Sequence, residues 1–378
     1  GRWMGAWKHS IDVRFMRRFN QLPSMAIGET ALPVGLRDDA PAVMRCGGCG
    51  AKLGADLLAR VLGQLPIQTG PDIRQGIGDD AAIVELGSSS IVTSCDSFRA
   101  MISDPYRFGR IAAHHAMSDL FAMGAVPRIA LAIATVPAMA DALMEDDLLQ
   151  MMSGAVSVFS SHGVRLVGGH SAESSELSIG FTVTGAAPEE PLLKSGMQVG
   201  NQLVLSKPIG TGVLLAGAMQ GKTSARDLMT SIEMMDQSNA LAAGILRDHG
   251  ATACTDVTGF GLLGHLGEMM RASDRTVVLD AFAVPILGGA SALMENGIES
   301  SLQRNNEQVM KDFVVPEEHL HTSPVRLLVD PQTAGGLLAS VPRDASASCV
   351  VALAQHGYDQ ARIVGMVTDE STSRIRIT

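Results

Sequence analysis

Residues 76–83 have the sequence GIGDDAAI, in which two glycines and two adjacent aspartates precede an apolar run. The apolar run predicts a β-strand over 81–86. Glycines allow the backbone to approach a ligand closely, and two neighbouring carboxylates are costly together without a cation. Because hard divalent cations prefer oxygen ligands, the pattern predicts that Asp79 and Asp80 belong to a cation site.

Further aspartates lie at the ends of other predicted elements. Asp96 follows a strand predicted over 90–94, and Asp256 opens a glycine-rich turn. Asp119 lies on a helix whose first residue is predicted to be a proline, which favours that position. Any single aspartate could equally cap a helix or face solvent, but together they predict one magnesium site, because this ion takes carboxylates along with phosphates and water.

His115 lies one helical turn before Asp119, so the two side chains are expected to share a helix face. The neighbouring residues of the helix are mostly alanines, which would let a ligand or another backbone come close. Two interpretations stay open at this point. Asp119 is either a metal ligand or the partner of His115 in a buried pair.

Residues 46–52 have the sequence CGGCGAK, in which three glycines predict a mobile arm. Lys52 follows Cys49 by three residues, so its charge could lower the pKa of the thiol and neutralise a phosphate. Three other interpretations stay open for this C-x-x-C string. It could be half of a zinc site, although the chain has no second C-x-x-C or H-x-x-H pair, or a redox pair, or simply a free thiol.

Two short glycine-rich strings, GGHS (168–171) and GFG (259–261), each follow an apolar, strand-like stretch. Each could be a ligand-binding segment or only a tight turn. Neither is a P-loop, because the pattern G-x-x-x-x-G-K-[ST] does not occur in the chain. If the protein binds ATP, it is therefore not expected to do so through a Walker motif.

Predicted strands alternate with predicted helices, a pattern typical of α/β and α+β domains. The pattern includes a strand over 164–167 that ends before GGHS, one long helix over 225–247 and a strand over 326–329. A Pro-, Glu- and Gly-rich stretch over 186–200 predicts a domain boundary. The expected organisation is an N-terminal extension or linker (1–45), a glycine-rich arm (46–75), an N-terminal domain (76–190) and a C-terminal domain (196–378).

The chain has 378 residues, enough for two buried cores, and a formal net charge of −10. This charge argues against nucleic-acid binding, which needs a basic surface. The longest apolar stretches are interrupted by Arg, Pro or Asp and do not predict a membrane span. Five scattered cysteines do not resemble a disulfide framework, so we expect a reducing cytoplasm.

Seven strings in order along the chain are GGCGAK (47–52), GIGDDAAI (76–83), SCDSF (94–98), DPYRFGRIAAHHAMSDLFAMGAVP (104–127), GGHS (168–171), TDVTGFGLLGHL (255–266) and DPQTAGGLL (330–338). Together they resemble selenophosphate synthetase, in the superfamily of aminoimidazole ribonucleotide synthetase and thiamine-monophosphate kinase. The GGCGAK string separates this family from its relatives. Residues 1–45 lie outside the resemblance and look like the tail of a flavin-dependent oxidoreductase, which some members carry upstream.

The resemblance implies a homodimer with a two-domain aminoimidazole ribonucleotide synthetase-like fold, in which a mixed-sheet N-terminal domain binds ATP and metal and the C-terminal domain is α+β. The implied reaction turns selenide, ATP and water into selenophosphate, phosphate and AMP. The residues carried over by position are Cys49 and Lys52 as catalytic residues, Asp80, Asp119 and Asp256 as magnesium ligands, and Lys52, Ile77, Gly78, Asp79, Asp96, Asp119, Gly168, Gly169 and His170 as nucleotide contacts.

Two positions depart from the family pattern. Ala51 stands where a second cysteine is common, so a dithiol role would need Cys46 instead. His114 and His115 stand where the helix usually carries an asparagine, which leaves the nucleotide contacts there open. Two rival functions also stay open: another ATP-dependent kinase or synthetase of the superfamily, and a non-catalytic C-x-x-C redox or metal regulator.

Overall fold

The computed structural model describes residues 46–52, 55–62, 64, 70–369 and 375–377. The predicted extension over 1–45 lies outside the described residues, and so does the link that it suggests to an upstream oxidoreductase. Within the predicted arm (46–75), the glycine-rich string is followed by a short helix, α1 (Ala55–Leu62), before the chain enters the first sheet.

Among the described residues, six strands form the first sheet, in the order β1-β2-β3-β6-β4-β5. Neighbouring strands are antiparallel except β4 and β5, which are parallel. The strands are β1 (Ile73–Gln75), β2 (Ala82–Leu86), β3 (Ser89–Arg99), β4 (Val126–Pro137), β5 (Arg165–Ser174) and β6 (Ser178–Ala186). Helix α2 (Pro105–Ala122) packs on β3 and β6, and α3 (Asp141–Ser161) packs on α2.

Helix α2 begins where the sequence predicts. Pro105 is its first residue, and the side chain of Asp104 caps it by accepting a hydrogen bond from the Arg107 amide at 3.0 Å. Glycines allow α2 and α3 to approach closely: a Cβ on Gly109 or Gly154 would lie 1.9 Å from a carbonyl oxygen of the other helix. The two helices therefore pack backbone to backbone at these two glycines, which limits the positions that α2 can take relative to α3.

In the described part of the chain, seven strands form the second sheet, in the order β10-β13-β9-β12-β7-β11-β8. They are β7 (Gln202–Leu205), β8 (Ala253–Asp256), β9 (Thr276–Leu279), β10 (Phe313–Val314), β11 (Leu337–Val341), β12 (Arg362–Thr368) and β13 (Ile375–Ile377). The helices are α4 (Thr211–Met219), α5 (Ala225–Met235), α6 (Ala240–Asp248), α7 (Gly261–Ser273), α8 (Ala290–Glu295), α9 (Gln303–Asn306), α10 (Ser323–Leu327) and α11 (Arg343–Gln355). Strand β8 lies against α2, so the two sheets meet at this helix.

The prediction of one helix over 225–247 is wrong, because the chain forms α5 and α6 with a turn between them. In that turn, the carboxylate of Asp236 accepts hydrogen bonds from Arg110 Nε at 2.9 Å. The amide of Asn239 donates to Ser118 Oγ at 2.9 Å. Both side chains thus form hydrogen bonds to residues of α2. These bonds favour a turn between α5 and α6 over one continuous helix.

Two predicted strands also differ from the structure. The strand predicted over 326–329 is wrong, because Pro324 lies in the first turn of α10, where its fixed backbone angle favours a helix. The strand predicted over 164–167 continues as β5 through the GGHS string. Gly169 pairs with Ala132 of β4, and a Cβ on it would lie 2.2 Å from the Ala132 carbonyl oxygen. The glycine pair therefore belongs to a strand and not to a turn.

In the part of the chain that the structure describes, no helix is long and apolar enough to cross a bilayer. The five cysteines are free thiols.

The contact between α2 and α3 makes a stability prediction. We expect Gly154→Ala to lower the free energy of unfolding by about 3 kcal/mol, because the new methyl group overlaps the Tyr106 carbonyl oxygen. Gly244→Ala is the matched control, since nothing lies within 4 Å of its Cβ position on α6. We expect the control to raise the free energy of unfolding by about 0.5–1 kcal/mol in urea titrations. Equal effects of the two substitutions would contradict the backbone contact.

Candidate functional site

Three aspartates from distant parts of the chain meet at the junction of the two sheets. Asp80 precedes β2, Asp119 lies near the end of α2 and Asp256 ends β8. One carboxylate oxygen of each lies within 4.8 Å of those of the other two. The structure thus brings together the three predicted magnesium ligands, and their role as ligands remains a prediction.

Side-chain hydroxyl groups hold one oxygen of Asp80 and one of Asp119 in place. Asp80 Oδ1 accepts from Thr255 Oγ1 at 2.8 Å, and Asp119 Oδ2 accepts from the Ser94 hydroxyl. Asp80 Oδ2 and Asp256 Oδ2 are buried and have no hydrogen-bond partner among the described residues. Buried unpaired carboxylate oxygens are costly, so this set fits a hard divalent cation, which would use them as ligands.

Burial changes the protonation of the cluster. It raises the pKa of Asp80 to about 7 and that of Asp256 to about 6. Burial also raises the pKa of Asp119 well above its usual value, and the negative charges of Asp256, Asp96 and Asp80 add to the effect. Without a cation, the cluster therefore holds protons at a pH where ordinary carboxylates have lost them.

Lys194 is a site residue that the sequence analysis missed. Its Nζ lies 2.9 Å from Asp80 Oδ1 and 2.9 Å from Glu268 Oε2. Burial alone would lower the pKa of Lys194, but the two carboxylates outweigh it and raise that pKa above the usual value. The residue lies in a stretch whose composition indicates only a linker, so no sequence signal pointed to it.

The residues that precede Asp80 form the rim of the cluster. Asp79 turns back to its own loop, where its Oδ1 accepts a hydrogen bond from the Asp80 amide at 2.9 Å. Ile77 is 74% exposed, and Gly78 has a φ of +123° with open space at its Cβ position. This rim is open to a ligand, and the predicted nucleotide contacts there remain predictions.

The glycine-rich arm is docked on the rest of the protein. Residues 48–51 form a single 3-10 turn, in which the Cys49 amide donates to Thr333 Oγ1 at 3.1 Å. Ser301 Oγ donates to the Gly50 carbonyl at 2.9 Å. A Cβ on Gly47 would lie 2.3 Å from the Ala100 carbonyl oxygen. In this conformation the glycines serve close packing, whereas the sequence predicted mobility.

Docking places both functional side chains of the arm beside the cluster. Lys52 Nζ forms an ion pair with Asp96 Oδ1 at 2.8 Å. Burial alone would lower the pKa of Lys52, but Asp96, Cys49 and Asp119 raise it above its usual value. The ammonium group therefore remains charged next to the carboxylates.

Cys49 is fully buried, and burial raises the pKa of its thiol to about 12 despite the opposing charge of Lys52. Lys52 does lower this pKa, as the sequence predicts, but the loss of hydration on burial outweighs one nearby cation, so the net pKa is raised. Cys49 is therefore a neutral thiol in this conformation.

His115 is buried on α2, but its nearest carboxylate is not the one the sequence suggested. Its Nε2 lies 3.9 Å from Asp96 Oδ2, and its ring contacts the Cys49 sulfur. His115 is therefore buried beside Asp96, and not beside Asp119 as one of the two open interpretations had it. Burial lowers the pKa of His115 to about 3, so the imidazole is neutral.

Gly168, Gly169 and His170 are exposed on β5, an edge strand of the first sheet. Three strands separate β5 from β2, and neighbouring strands lie about 4.8 Å apart. The described chain therefore does not bring these three residues to the aspartate cluster.

Two family models match the chain. The model for AIR synthase related protein, N-terminal domain, matches residues 78–187, and the model for the C-terminal domain matches residues 198–378. The selenide, water dikinase of Clostridioides difficile (strain 630) is 34% identical over 337 residues, which cover 88% of this chain and 96% of that protein. The selenide, water dikinase of Pelobacter propionicus is 36% identical over 333 residues, which cover 87% of this chain and 95% of that protein.

Solved structures share the fold at low identity. The crystal structure of the HypE–HypF complex has a TM-score of 0.63 at 17% identity and covers 86% of this chain and 96% of that chain. Thiamine-monophosphate kinase from Stenotrophomonas maltophilia K279a has a TM-score of 0.59 at 21% identity and covers 85% of this chain and 94% of that chain. With the family models, these similarities confirm the predicted two-domain fold.

Proposed function

The chain belongs to the selenide, water dikinase family, and we propose that it converts selenide, ATP and water into selenophosphate, phosphate and AMP. It is accordingly an ATP-dependent phosphotransferase. The observation that carries the proposal is the docked arm, which holds Lys52 and Cys49 beside three converging aspartates. Phosphoryl transfer depends mainly on positioning and on neutralising phosphate charge, and this arrangement supports both.

We assign magnesium binding to Asp80, Asp119 and Asp256. The unpaired buried oxygens of Asp80 and Asp256 and the raised pKa values support the assignment, because a cation would replace protons that the cluster otherwise holds. Magnesium, when bound, supplies charge neutralisation for the triphosphate oxygens. Ser94 orients the carboxylate of Asp119, and Thr255 and Lys194 orient that of Asp80.

The remaining residues divide between the nucleotide and the selenide. We assign Ile77, Gly78, Asp79 and Asp96 to the nucleotide, because Ile77 and Gly78 form an open rim beside Asp79 and because Asp96 holds Lys52 next to the cluster. Lys52 would exchange its pairing with Asp96 for a phosphate oxygen when the nucleotide enters. We assign Cys49 to the selenide, because its thiol lies where solvent has no access. Selenide is already a strong nucleophile, so it needs exclusion from water more than activation.

The rival functions receive less support. Among the described residues, the only group of three metal-ligating side chains is the aspartate cluster, and it contains no cysteine. Cys46 Sγ instead accepts a hydrogen bond from the Ser301 amide at 3.3 Å. A zinc-binding C-x-x-C regulator is therefore disfavoured, and the GGCGAK arm argues against another kinase of the superfamily.

Phosphorus NMR of ATP with and without hydroselenide tests the function. We expect a selenium-bonded phosphate with the wild-type protein and at least about a 100-fold slower appearance with Lys52→Ala, which removes a cation from the transferred phosphate. The exposed Lys222→Ala is the control and should keep full activity.

Binding of a non-hydrolysable ATP analogue should weaken far less than turnover in Lys52→Ala. Full activity of this variant would refute the role of the arm. A wild-type protein that makes no selenophosphate but phosphorylates thiamine phosphate would overturn the proposed reaction.

The metal assignment predicts a pH dependence. Protons compete with the cation while the pH is below the raised pKa values of Asp80 and Asp256, so affinity should rise with pH. Between pH 6 and pH 8 we expect Mn²⁺ to bind about tenfold more tightly by calorimetry. Asp80→Asn should remove most of the increase, whereas Asp248→Asn on the exposed end of α6 should keep it. An affinity that does not change with pH would count against the assignment.

We further infer a homodimer in which β5 of one copy completes the nucleotide site of the other. Ile129, Leu131 and Ile133 on β4 form an exposed apolar row on one face of the sheet, and Val167 on β5 is exposed next to them. An apolar face beside a strand that has no further partner strand among the described residues favours a second copy as its cover. A second copy would also explain why Gly168, Gly169 and His170 lie so far from the aspartates of their own chain.

Light scattering after size exclusion tests this assembly. We expect the wild-type protein to be a dimer at micromolar concentration and Ile133→Asp to be a monomer with weaker nucleotide binding, because a charge cannot be buried in the apolar face. Leu241→Asp introduces the same charge at an exposed apolar position on α6 and should remain dimeric. A monomeric wild-type protein would refute the inference.

We also place the protein in the cytoplasm, which its free thiols support and which cell fractionation would check.

A further inference from the structure

His115 contacts the arm at a position where the sequence departs from the family pattern. Its ring is 1% exposed and lies between Phe98, whose ring centroid is 4.4 Å away, and the sulfur of Cys49. The residue projects from α2, which the α3 contact holds in place. The buried His115 ring is therefore held in place, and Cys49 of the arm packs against it.

A backbone hydrogen bond determines the tautomer of this imidazole. The Ala334 amide donates to His115 Nδ1 at 2.9 Å, so Nδ1 must be the unprotonated nitrogen. In the neutral ring, the proton is then on Nε2, the nitrogen 3.9 Å from Asp96 Oδ2. Since the lone pair of Nδ1 is occupied, His115 cannot accept the proton of the Cys49 thiol in this state.

The sulfur does not lie along an N–H direction of the ring. Cys49 Sγ is 3.7 Å from Nε2 and 3.8 Å from Nδ1. A bond directed at one nitrogen would leave the other clearly farther away, because the ring separates them. The thiol therefore packs against the imidazole between its nitrogens, as sulfur does with other aromatic rings.

Ala334, which fixes the ring, is itself held at both ends. It has a φ of +48°, a left-handed conformation that is unfavourable for alanine and persists only where its surroundings impose it. Its carbonyl oxygen accepts a hydrogen bond from the buried Lys207 Nζ at 3.3 Å, while its amide binds His115. The preceding residue, Thr333, holds the Cys49 amide. The bonds among Ala334, His115 and Lys207 thus hold this part of the docking surface without involving the arm.

We propose that His115 is the positioning residue of the closed arm: its ring supports the Cys49 sulfur, and its Nε2–H faces Asp96, the partner of Lys52. One side chain thereby contacts Cys49 directly and Lys52 through Asp96, so it aligns both functional groups of the arm at once. The catalytic consequence rests on the proposed selenophosphate synthesis, whereas the control of docking does not.

Iodoacetamide labelling of the full chain, read by peptide mass spectrometry, measures docking without reference to activity. Cys49 can react only when the arm opens, because its thiol is fully buried. We expect His115→Ala to accelerate carbamidomethylation of Cys49 about tenfold, since the open arm gains population when its support is lost. His115→Asn should show an intermediate acceleration and carries the test if His115→Ala does not fold.

Two other buried thiols distinguish positioning from general loosening of the fold. Cys254 on β8 and Cys349 on α11 should keep their wild-type labelling rates in both variants. His356→Ala, an exposed histidine after α11, is the matched control and should leave the Cys49 rate unchanged. The proposal is overturned if Cys49 labelling stays within about twofold of wild type, or if all buried thiols accelerate together.

Kinetics then connect docking to the reaction. We expect the turnover number of His115→Ala to fall about tenfold, with nucleotide affinity nearly unchanged, because misplacement of reacting groups slows the chemical step. Accelerated Cys49 labelling with unchanged turnover would overturn the catalytic part of the proposal. A wild-type protein that makes no selenophosphate would overturn the proposed function alone, since the labelling rates would still report on the arm.

Discussion

The structure depends on holding three carboxylates together in a place that water hardly reaches. Asp80, Asp119 and Asp256 repel one another when ionised, and burial strengthens the repulsion because the surroundings screen charge poorly. Lys194 offsets part of this charge from one side, and Lys52 offsets part from the other through Asp96. The protein thus carries two tethered ammonium groups around a cluster whose free oxygens suit a divalent cation.

The fold provides the rigidity that such a cluster needs. Each aspartate is fixed by a different element, one before a strand of the first sheet, one on α2 and one at the end of a strand of the second sheet. Helix α2 lies between the two sheets and packs closely on α3, because glycines leave no side chains between the two backbones. Small shifts of one sheet relative to the other would therefore open the cluster, so its geometry reports on the packing of the whole described unit.

The sequence predicted those parts of the site that follow from local pattern. Asp80, Asp119 and Asp256 could be placed because each stands beside a recognisable strand, helix cap or glycine turn. Lys194 could not be found, because its segment has the composition of a linker and its partners are distant along the chain. The neutral thiol of Cys49 was also out of reach, since the burial that outweighs the effect of Lys52 on its pKa is created only by the docked arm. Polar bonds to α2 likewise broke a helix that the pattern of residues 225–247 had indicated as continuous.

Strand β5 carries its glycine pair at the far edge of the first sheet, across three strands from the aspartates. If that edge serves a neighbouring copy, nucleotide affinity becomes a function of protein concentration, since a dilute monomer has only half a site. Two differently damaged chains, one altered at the aspartates and one at the glycine pair, would then restore one intact site when mixed. Conversely, one defective chain would also impair a site that it shares with an intact partner. The fraction of activity lost would then exceed the fraction of chains that are defective.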